Sequence, residues 1–192
     1  MARLFVGIPL LSAIRDRLLT LQSGLPGARW RPHDNLHVTL AFIGEMDSHG
    51  ESEIADALVR LEAPAFDIRV EGVGHFGKRR PHTLWAGVDE AGELSHLAGK
   101  VANTLKKIGV KIENRKYTPH VTIANVRNAR RDSVNEFVGR HSDFTSDPFY
   151  VDRCVLYQSH MGKGASHYVA RAEFALADFP QTFEEPRLDD DI

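Results

Sequence analysis

Apolar positions along the chain follow two different periods, and the alternation between them predicts where strands and helices lie. Runs rich in β-branched residues, or alternating between apolar and polar, are typical of strands, whereas apolar residues at every third or fourth position are typical of helices. Strands are predicted over 3–8, 36–43, 66–73, 84–88, 121–126, 149–158 and 168–176. Helices are predicted over 11–21, 48–61, 94–108 and 132–138.

The ends of several of these elements carry their own signals. Pro26, between two glycines, ends the first helix. Ser48 with Glu51 three residues later has the pattern of a capping box. Asp132 or Ser133 is predicted to cap the last helix, and the glycines at 162 and 164 are predicted to form the loop of a closing hairpin.

The order of the elements predicts an α+β fold. Helices alternate with strands, but the short loops and hairpins favour largely antiparallel sheets over parallel ones. No stretch has the composition of a linker, so residues 1–180 are interpreted as one domain.

Composition narrows the class of protein. The 192 residues are 42% hydrophobic and 26% charged, which is ordinary for a soluble globular chain. No apolar run approaches the ~20 residues that span a bilayer, and no signal peptide is recognised at the N-terminus. Cys154 is the only cysteine, is predicted to be a small core residue, and fits a reducing, cytoplasmic location.

Charge is distributed unevenly over the chain. The net charge is −2, whereas the segment 181–192 alone has five acidic residues and one arginine, and we expect this segment to be a disordered tail. Basic residues cluster at 78–80, 115–116 and 127–131, a modest electrostatic footprint that an oligonucleotide could use.

One short sequence motif occurs twice in the predicted strands. Residues 37–41 read His-Val-Thr-Leu-Ala and residues 120–124 read His-Val-Thr-Ile-Ala. Because residues i and i+2 of a strand share a face, His37 and Thr39 point the same way, as do His120 and Thr122. A single His-x-Thr triplet would carry little weight, but two copies that also share valine, an aliphatic residue and alanine predict a common site.

Two imidazoles and two hydroxyls around one small anion would suit acid–base chemistry on a phosphate. Imidazole exchanges protons near neutral pH, and hydroxyls can donate hydrogen bonds to phosphate oxygens. Each role in the chemistry then has an occupant, so no metal ion or cofactor is required.

The paired motifs, about 80 residues apart, resemble those of the two-histidine (2H) phosphoesterases. Further matching stretches are 3–9, 29–37, 80–88, 117–120, 156–159 and 164–168. The resemblance covers nearly the whole chain to about residue 176. It is strongest to the branch of RNA 2′,3′-cyclic phosphodiesterases, also called LigT or 2′-5′ RNA ligases.

The resemblance implies two pseudo-symmetric lobes of largely antiparallel sheet, with outer helices, around a central cleft. It implies His37 as proton donor to the leaving oxygen and His120 as proton acceptor from water, whereas the residues alone leave that assignment open. It also implies expulsion of the 3′ oxygen, which leaves a 2′-phosphate. Asn125 departs from the family, which often has arginine at this position, so any phosphate contact of that arginine is open here.

Other residues are weaker candidates for binding RNA ends or nucleotides. Arg127 could bind phosphate in bidentate fashion, and Trp30 or Tyr157 could stack on a base. Phe42 shares a face with Val38 and Leu40 by strict alternation and is therefore predicted to be a core residue.

The leading prediction is a metal-independent enzyme that hydrolyses RNA 2′,3′-cyclic phosphate ends and works as a monomer. Reversible 2′-5′ ligation of RNA ends and a non-catalytic RNA- or nucleotide-binding module remain alternatives. A histidine-based metal hydrolase is disfavoured, since the chain has no His-Glu-x-x-His motif and no pair of cysteines.

Overall fold

The computed structural model describes residues 1–89, 92–113, 116–160 and 166–177. Those residues form ten strands, four α-helices and one 3-10 turn. The strands are β1 (Ala2–Pro9), β2 (Ala28–Trp30), β3 (His37–Met46), β4 (Phe66–Ile68), β5 (Val70–Phe76), β6 (Thr83–Val88), β7 (His120–Val126), β8 (Phe149–Val151), β9 (Arg153–His160) and β10 (His167–Ala175). The helices are α1 (Ser12–Leu19), α2 (Ser48–Val59), α3 (Glu93–Lys107) and α4 (Arg131–Arg140), and the 3-10 turn is His33–Asn35.

Eight of the strands form one antiparallel sheet. Its order is β10-β9-β1-β3-β7-β6-β5, with β2 also paired to β7, while β4 and β8 form a separate two-stranded sheet. The motif strands β3 and β7 lie side by side in the middle and meet at the pair Val38–Val121. The α+β class and the largely antiparallel pairing predicted from the sequence are therefore confirmed.

The two sides of this sheet are not the two halves of the chain. In the central pair, β3 is followed on its outer side by β1 and then by β9 and β10, which come from the end of the chain. On the outer side of β7 lie β6 and β5, which come from the first half of the chain. Each motif strand is therefore supported by strands from distant parts of the sequence.

Both motif strands carry a register shift directly after the motif. Opposite β3, the partner residues pass from Gly7–Thr39 to Val6–Ala41, so Leu40 has no partner on β1. Opposite β7, they pass from Trp85–Thr122 to Leu84–Ala124. Such bulges reverse the alternation of faces beyond them.

The prediction that Phe42 belongs to the core is wrong for this reason. Leu40 and Ala41 are both buried, and Phe42 then points to the open side with 57% of its surface exposed. The bulge brings Phe42 onto the face that also carries His37 and Thr39.

Two of the strands predicted from the sequence are each divided into two strands in the structure. The strand predicted over 66–73 breaks at Arg69 into β4 and β5, and that over 149–158 breaks at Asp152 into β8 and β9. In both cases the chain passes from the two-stranded sheet into the large one.

The predicted caps of two helices also differ. Asp47, not Ser48, is the N-cap of α2, and its carboxylate accepts a hydrogen bond from the Gly50 N–H at 2.8 Å. Helix α4 begins at Arg131 after an N-cap at Arg130, so Asp132 and Ser133 lie within its first turn.

Helix α3 has the most regular apolar stripe and packs beside β3. Its buried face consists of Leu94, Leu97, Ala98, Val101 and Leu105. Cys154 is fully buried in β9, as predicted. Within the described residues, no helix is long and apolar enough to cross a membrane.

The predicted hairpin loop at 162–164 and the predicted acidic tail at 181–192 both lie outside the described residues. The assignment of 1–180 to a single domain stays a prediction.

Candidate active site

The two His-Thr pairs come together because β3 and β7 are neighbours. With Val38 opposite Val121, antiparallel register places position 37 across from 122 and position 39 across from 120. Each histidine of one motif is therefore opposite the threonine of the other. Such a crossed arrangement is what a two-fold pseudo-symmetric site requires.

The ring of His37 is held by hydrogen bonds at both nitrogens. Its Nδ1–H donates to the backbone carbonyl of Asn35 at 2.8 Å, and its Nε2 lies 3.0 Å from the Thr39 hydroxyl. Since a carbonyl can only accept, the neutral ring carries its proton on Nδ1, and Nε2 accepts from Thr39. The nitrogen that would exchange protons with substrate is therefore Nε2.

His120 repeats the first of these bonds. Its Nδ1–H donates to the backbone carbonyl of Thr118 at 2.7 Å, again two residues earlier in the chain. The neutral ring therefore also presents Nε2 for proton transfer, and the backbone sets the tautomer in both motifs.

Aromatic rings support both imidazoles from the side. Phe5 lies 4.8 Å from His37 between ring centroids, and Tyr168 meets His37 edge-on at 5.2 Å. Phe76 meets His120 edge-on at 4.9 Å. The rings limit the orientations that each imidazole can adopt.

Gly7 makes room for the first histidine. A Cβ added there would lie 2.9 Å from the carbonyl oxygen of Val38 and 3.2 Å from the ring of His37. The close approach of β1 to the motif strand therefore depends on this glycine.

Tyr117, three residues before His120, forms a hydrogen bond with the first motif strand. Its hydroxyl donates to the backbone carbonyl of Thr39 at 3.0 Å, and burial raises the pKa of this phenol. The hydroxyl is therefore a fixed donor at physiological pH.

Two adjoining cavities open at the motif residues. The first, about 270 Å³, is lined by His37, Thr39 and Thr122, together with Arg31, Asn35 and Tyr168. The second, about 510 Å³, is lined by Thr39 and His120, and extends along α3 past Phe76, Asn103 and Lys106. Thr39 and Phe42 line both, so the four motif side chains border one continuous cleft.

The environment of His37 disfavours its charged form. Burial, with smaller contributions from the charges of Arg31 and His120, lowers the pKa of His37 to about 4, against the hydrogen bond to Asn35, which acts in the opposite direction. The ring is therefore neutral at pH 7.

Sequence reasoning missed two residues of this cleft. Arg31 lines the first cavity, and its Nη2 donates to Asn125 Oδ1 at 3.4 Å. Asn125 is the residue at the position where the resembled family often has arginine. Asn35 is buried, accepts from His37 through its carbonyl, and donates from its side chain to the carbonyl of Ser166. A lone arginine and asparagine before a motif have no signature of their own in a single sequence.

The weaker candidates from the sequence do not line either of the two cavities. Trp30 packs against Phe137 at 5.8 Å and against the core, and is not among the residues that line either cavity. Arg127 is exposed at the end of β7 and also lines neither cavity. Tyr157 stacks on Phe5 at 5.1 Å, and its ring centroid lies 6.1 Å from that of His37, but it lines neither cavity.

The site contains no recognisable arrangement of metal ligands. Within the residues that the structure describes, no group of three or more His, Cys, Asp or Glu side chains could hold a metal ion.

The family model and the curated relatives that this chain matches indicate the same family. The model of the 2′-5′ RNA ligase superfamily matches residues 10–163. The chain belongs to this superfamily. An RNA 2′,3′-cyclic phosphodiesterase of Archaeoglobus fulgidus is 33% identical over 82% of this chain and 90% of its own length. One of Thermotoga maritima is 35% identical over 69% of this chain and 71% of its own length.

This chain shares its fold with solved structures. E. coli LigT complexed with 3′-AMP superposes with a TM-score of 0.77 over 92% of this chain and 99% of that one, at 24% identity. The resemblance inferred from the paired motifs is confirmed by the match to the superfamily model and by the curated relatives.

Proposed function

We propose that this protein hydrolyses 2′,3′-cyclic phosphate ends of RNA to 2′-phosphomonoesters without a metal ion. The observation that supports this most strongly is the crossed pairing of two His-Thr pairs at the centre of one cleft. The curated relatives at 33% and 35% identity are named for this activity, which supports the substrate class.

The reaction assigns one role to each motif residue. Water attacks phosphorus while its proton passes to Nε2 of His120, and the bond from phosphorus to the 3′ oxygen breaks. His37 gives a proton from Nε2 to that oxygen, which leaves a 3′-hydroxyl and a 2′-phosphate. Thr39 and Thr122 donate hydrogen bonds to the non-bridging oxygens and stabilise the charge that develops there.

The low pKa of His37 fits this scheme only if substrate binding raises it. A cyclic phosphodiester carries one negative charge, and a negative charge beside an imidazole favours the protonated ring. The substrate would thereby protonate its own acid catalyst, so we expect proton uptake on binding.

The roles of the two histidines also indicate which part of the reaction each cavity would hold. The ribose leaves from the side of His37, so the terminal nucleoside would occupy the first cavity, and the nucleophile would approach from the second. Phe42, exposed where the cavities meet, offers an aromatic face to an unpaired base.

The size of the second cavity favours a second candidate activity. At about 510 Å³ it is far larger than one attacking water needs. A terminal nucleoside with a free 5′-hydroxyl could occupy it and replace water, which would join two RNA ends through a 2′-5′ linkage.

The test is incubation of adenosine 2′,3′-cyclic phosphate with the protein in a chelator, with the products followed by phosphorus NMR. We expect the 2′-phosphate. A 3′-phosphate, or activity that is lost in chelator and restored by added metal, would contradict the proposal. Addition of an RNA with a 5′-hydroxyl tests the second candidate, since only ligation yields a nuclease-resistant 2′-5′ bond.

A further inference from the structure

Arg31 is fixed through its backbone beside the second motif strand. Its N–H donates to the carbonyl of Ile123 at 2.8 Å, and its own carbonyl accepts from Nε2 of Gln22 at 2.9 Å. The side chain therefore starts from a rigid position next to β7.

Arg31 lines the first cavity together with His37, Thr39 and Thr122. Its charge is close enough to His37 to lower the pKa of that ring. The guanidinium of Arg31 donates a hydrogen bond to the neutral amide oxygen of Asn125. That bond is long, at 3.4 Å, and uses one of the five N–H donors that a guanidinium carries.

The partner of Arg31 differs in charge from those of three other arginines of this protein. Arg15, Arg153 and Arg171 each form an ion pair with a carboxylate. Among the described residues, no carboxylate oxygen lies within 4.0 Å of the Arg31 guanidinium, although the residue is half-buried. A half-buried cation that faces a cavity and has only a neutral partner is suited to bind an anion.

We propose that Arg31 binds the phosphate of the substrate and that Asn125 orients its guanidinium. This inference rests on the proposed function, because it supplies the cation for the phosphate that the two His-Thr pairs act on. Arg31 offers paired N–H donors to two non-bridging oxygens and counters the charge that develops on them. The same charge adds a smaller contribution to that of burial, which is the main cause that disfavours the protonated form of His37.

The test measures binding of inorganic phosphate, by calorimetry, to the wild type and to Arg31→Gln. We expect the substitution to weaken phosphate binding by about 10-fold to 100-fold, the usual range for loss of a charge-assisted contact. Arg60→Gln removes an exposed arginine at the end of α2 and should bind phosphate like the wild type. Unchanged binding in Arg31→Gln would overturn the inference.

A relocated charge separates electrostatic from structural effects. Arg31→Gln combined with Asn125→Arg places a guanidinium at the neighbouring position, and we expect it to recover part of the lost phosphate affinity. A double variant that unfolds at the same temperature as the wild type but recovers nothing would contradict the inference.

A spectroscopic readout covers the case in which the double variant does not fold. In Arg31→Gln we expect NMR titration to show a higher pKa for His37, since the neighbouring positive charge is gone. An unchanged pKa would count against Arg31 facing the site. Phosphate binding is measured without turnover, so failure of this inference is distinguishable from failure of the proposed reaction.

Discussion

At the scale of residues, the backbone sets the tautomer of both motif histidines. In both motifs a carbonyl two residues before the histidine accepts from Nδ1, so the tautomer follows from strand geometry. The motif residues could be predicted because the motif occurs twice and each copy places His and Thr on one face. Arg31 could not be predicted, and Arg127 was favoured only because it is near the second motif in sequence.

The depressed pKa of His37 predicts how stability depends on pH. In the unfolded chain this histidine titrates near 6.5, and in the folded protein near 4, so the unfolded state binds more protons between those values. The contribution of His37 to the free energy of unfolding is therefore present above pH 6.5 and is lost as the pH falls toward 4. Urea unfolding at pH 7 and pH 4.5 measures this loss.

His37→Asn should reduce the loss of stability between pH 7 and pH 4.5. His49→Asn is the matched control, because His49 is an exposed histidine on α2. If the His37 variant loses as much stability as the control over this range, the ring is not held neutral in the folded protein.

At the scale of elements, periodicity predicted most strands and helices but not their irregularities. The strand over 36–43 was predicted, yet alternation failed at the bulge after Thr39, which no residue type announces. The breaks at Arg69 and Asp152 were also missed, because neither a proline nor a glycine marks the change of sheet. Such features arise from pairing with distant strands, which a local pattern does not contain.

The bulge makes a prediction for Phe42. Because this side chain is 57% exposed, Phe42→Ala should lower the free energy of unfolding by less than about 1 kcal/mol. It should instead raise KM for a nucleoside 2′,3′-cyclic phosphate, since the aromatic face of the cleft is lost.

Phe137→Ala is the comparison for a fully buried phenylalanine, with an expected cost of about 3–5 kcal/mol. Chemical unfolding of both variants, with steady-state kinetics of the first, is the measurement. A cost for Phe42→Ala close to that of Phe137→Ala would restore the interpretation of Phe42 as core.

At the scale of the whole molecule, the cleft results from interleaved strands. The first motif strand is supported by β9 and β10, which are over 100 residues away, and the second by β5 and β6. The resemblance to the 2H phosphoesterases implied the central cleft, but composition and periodicity alone could not have revealed which strands flank it. The site therefore depends on the fold of nearly the whole chain, although only two short motifs carry the proposed chemistry.

The proposed reaction requires both histidines to act together. The most direct measurement is the rate of hydrolysis of a nucleoside 2′,3′-cyclic phosphate, in chelator, by the wild type, His37→Ala and His120→Ala, with His49→Ala as the control. We predict a fall of about 10²-fold to 10⁴-fold in kcat for each motif variant, as expected for loss of a general acid or base, and an unchanged rate for the control. Near-full activity in either motif variant, with the fold intact, would contradict the two-histidine mechanism.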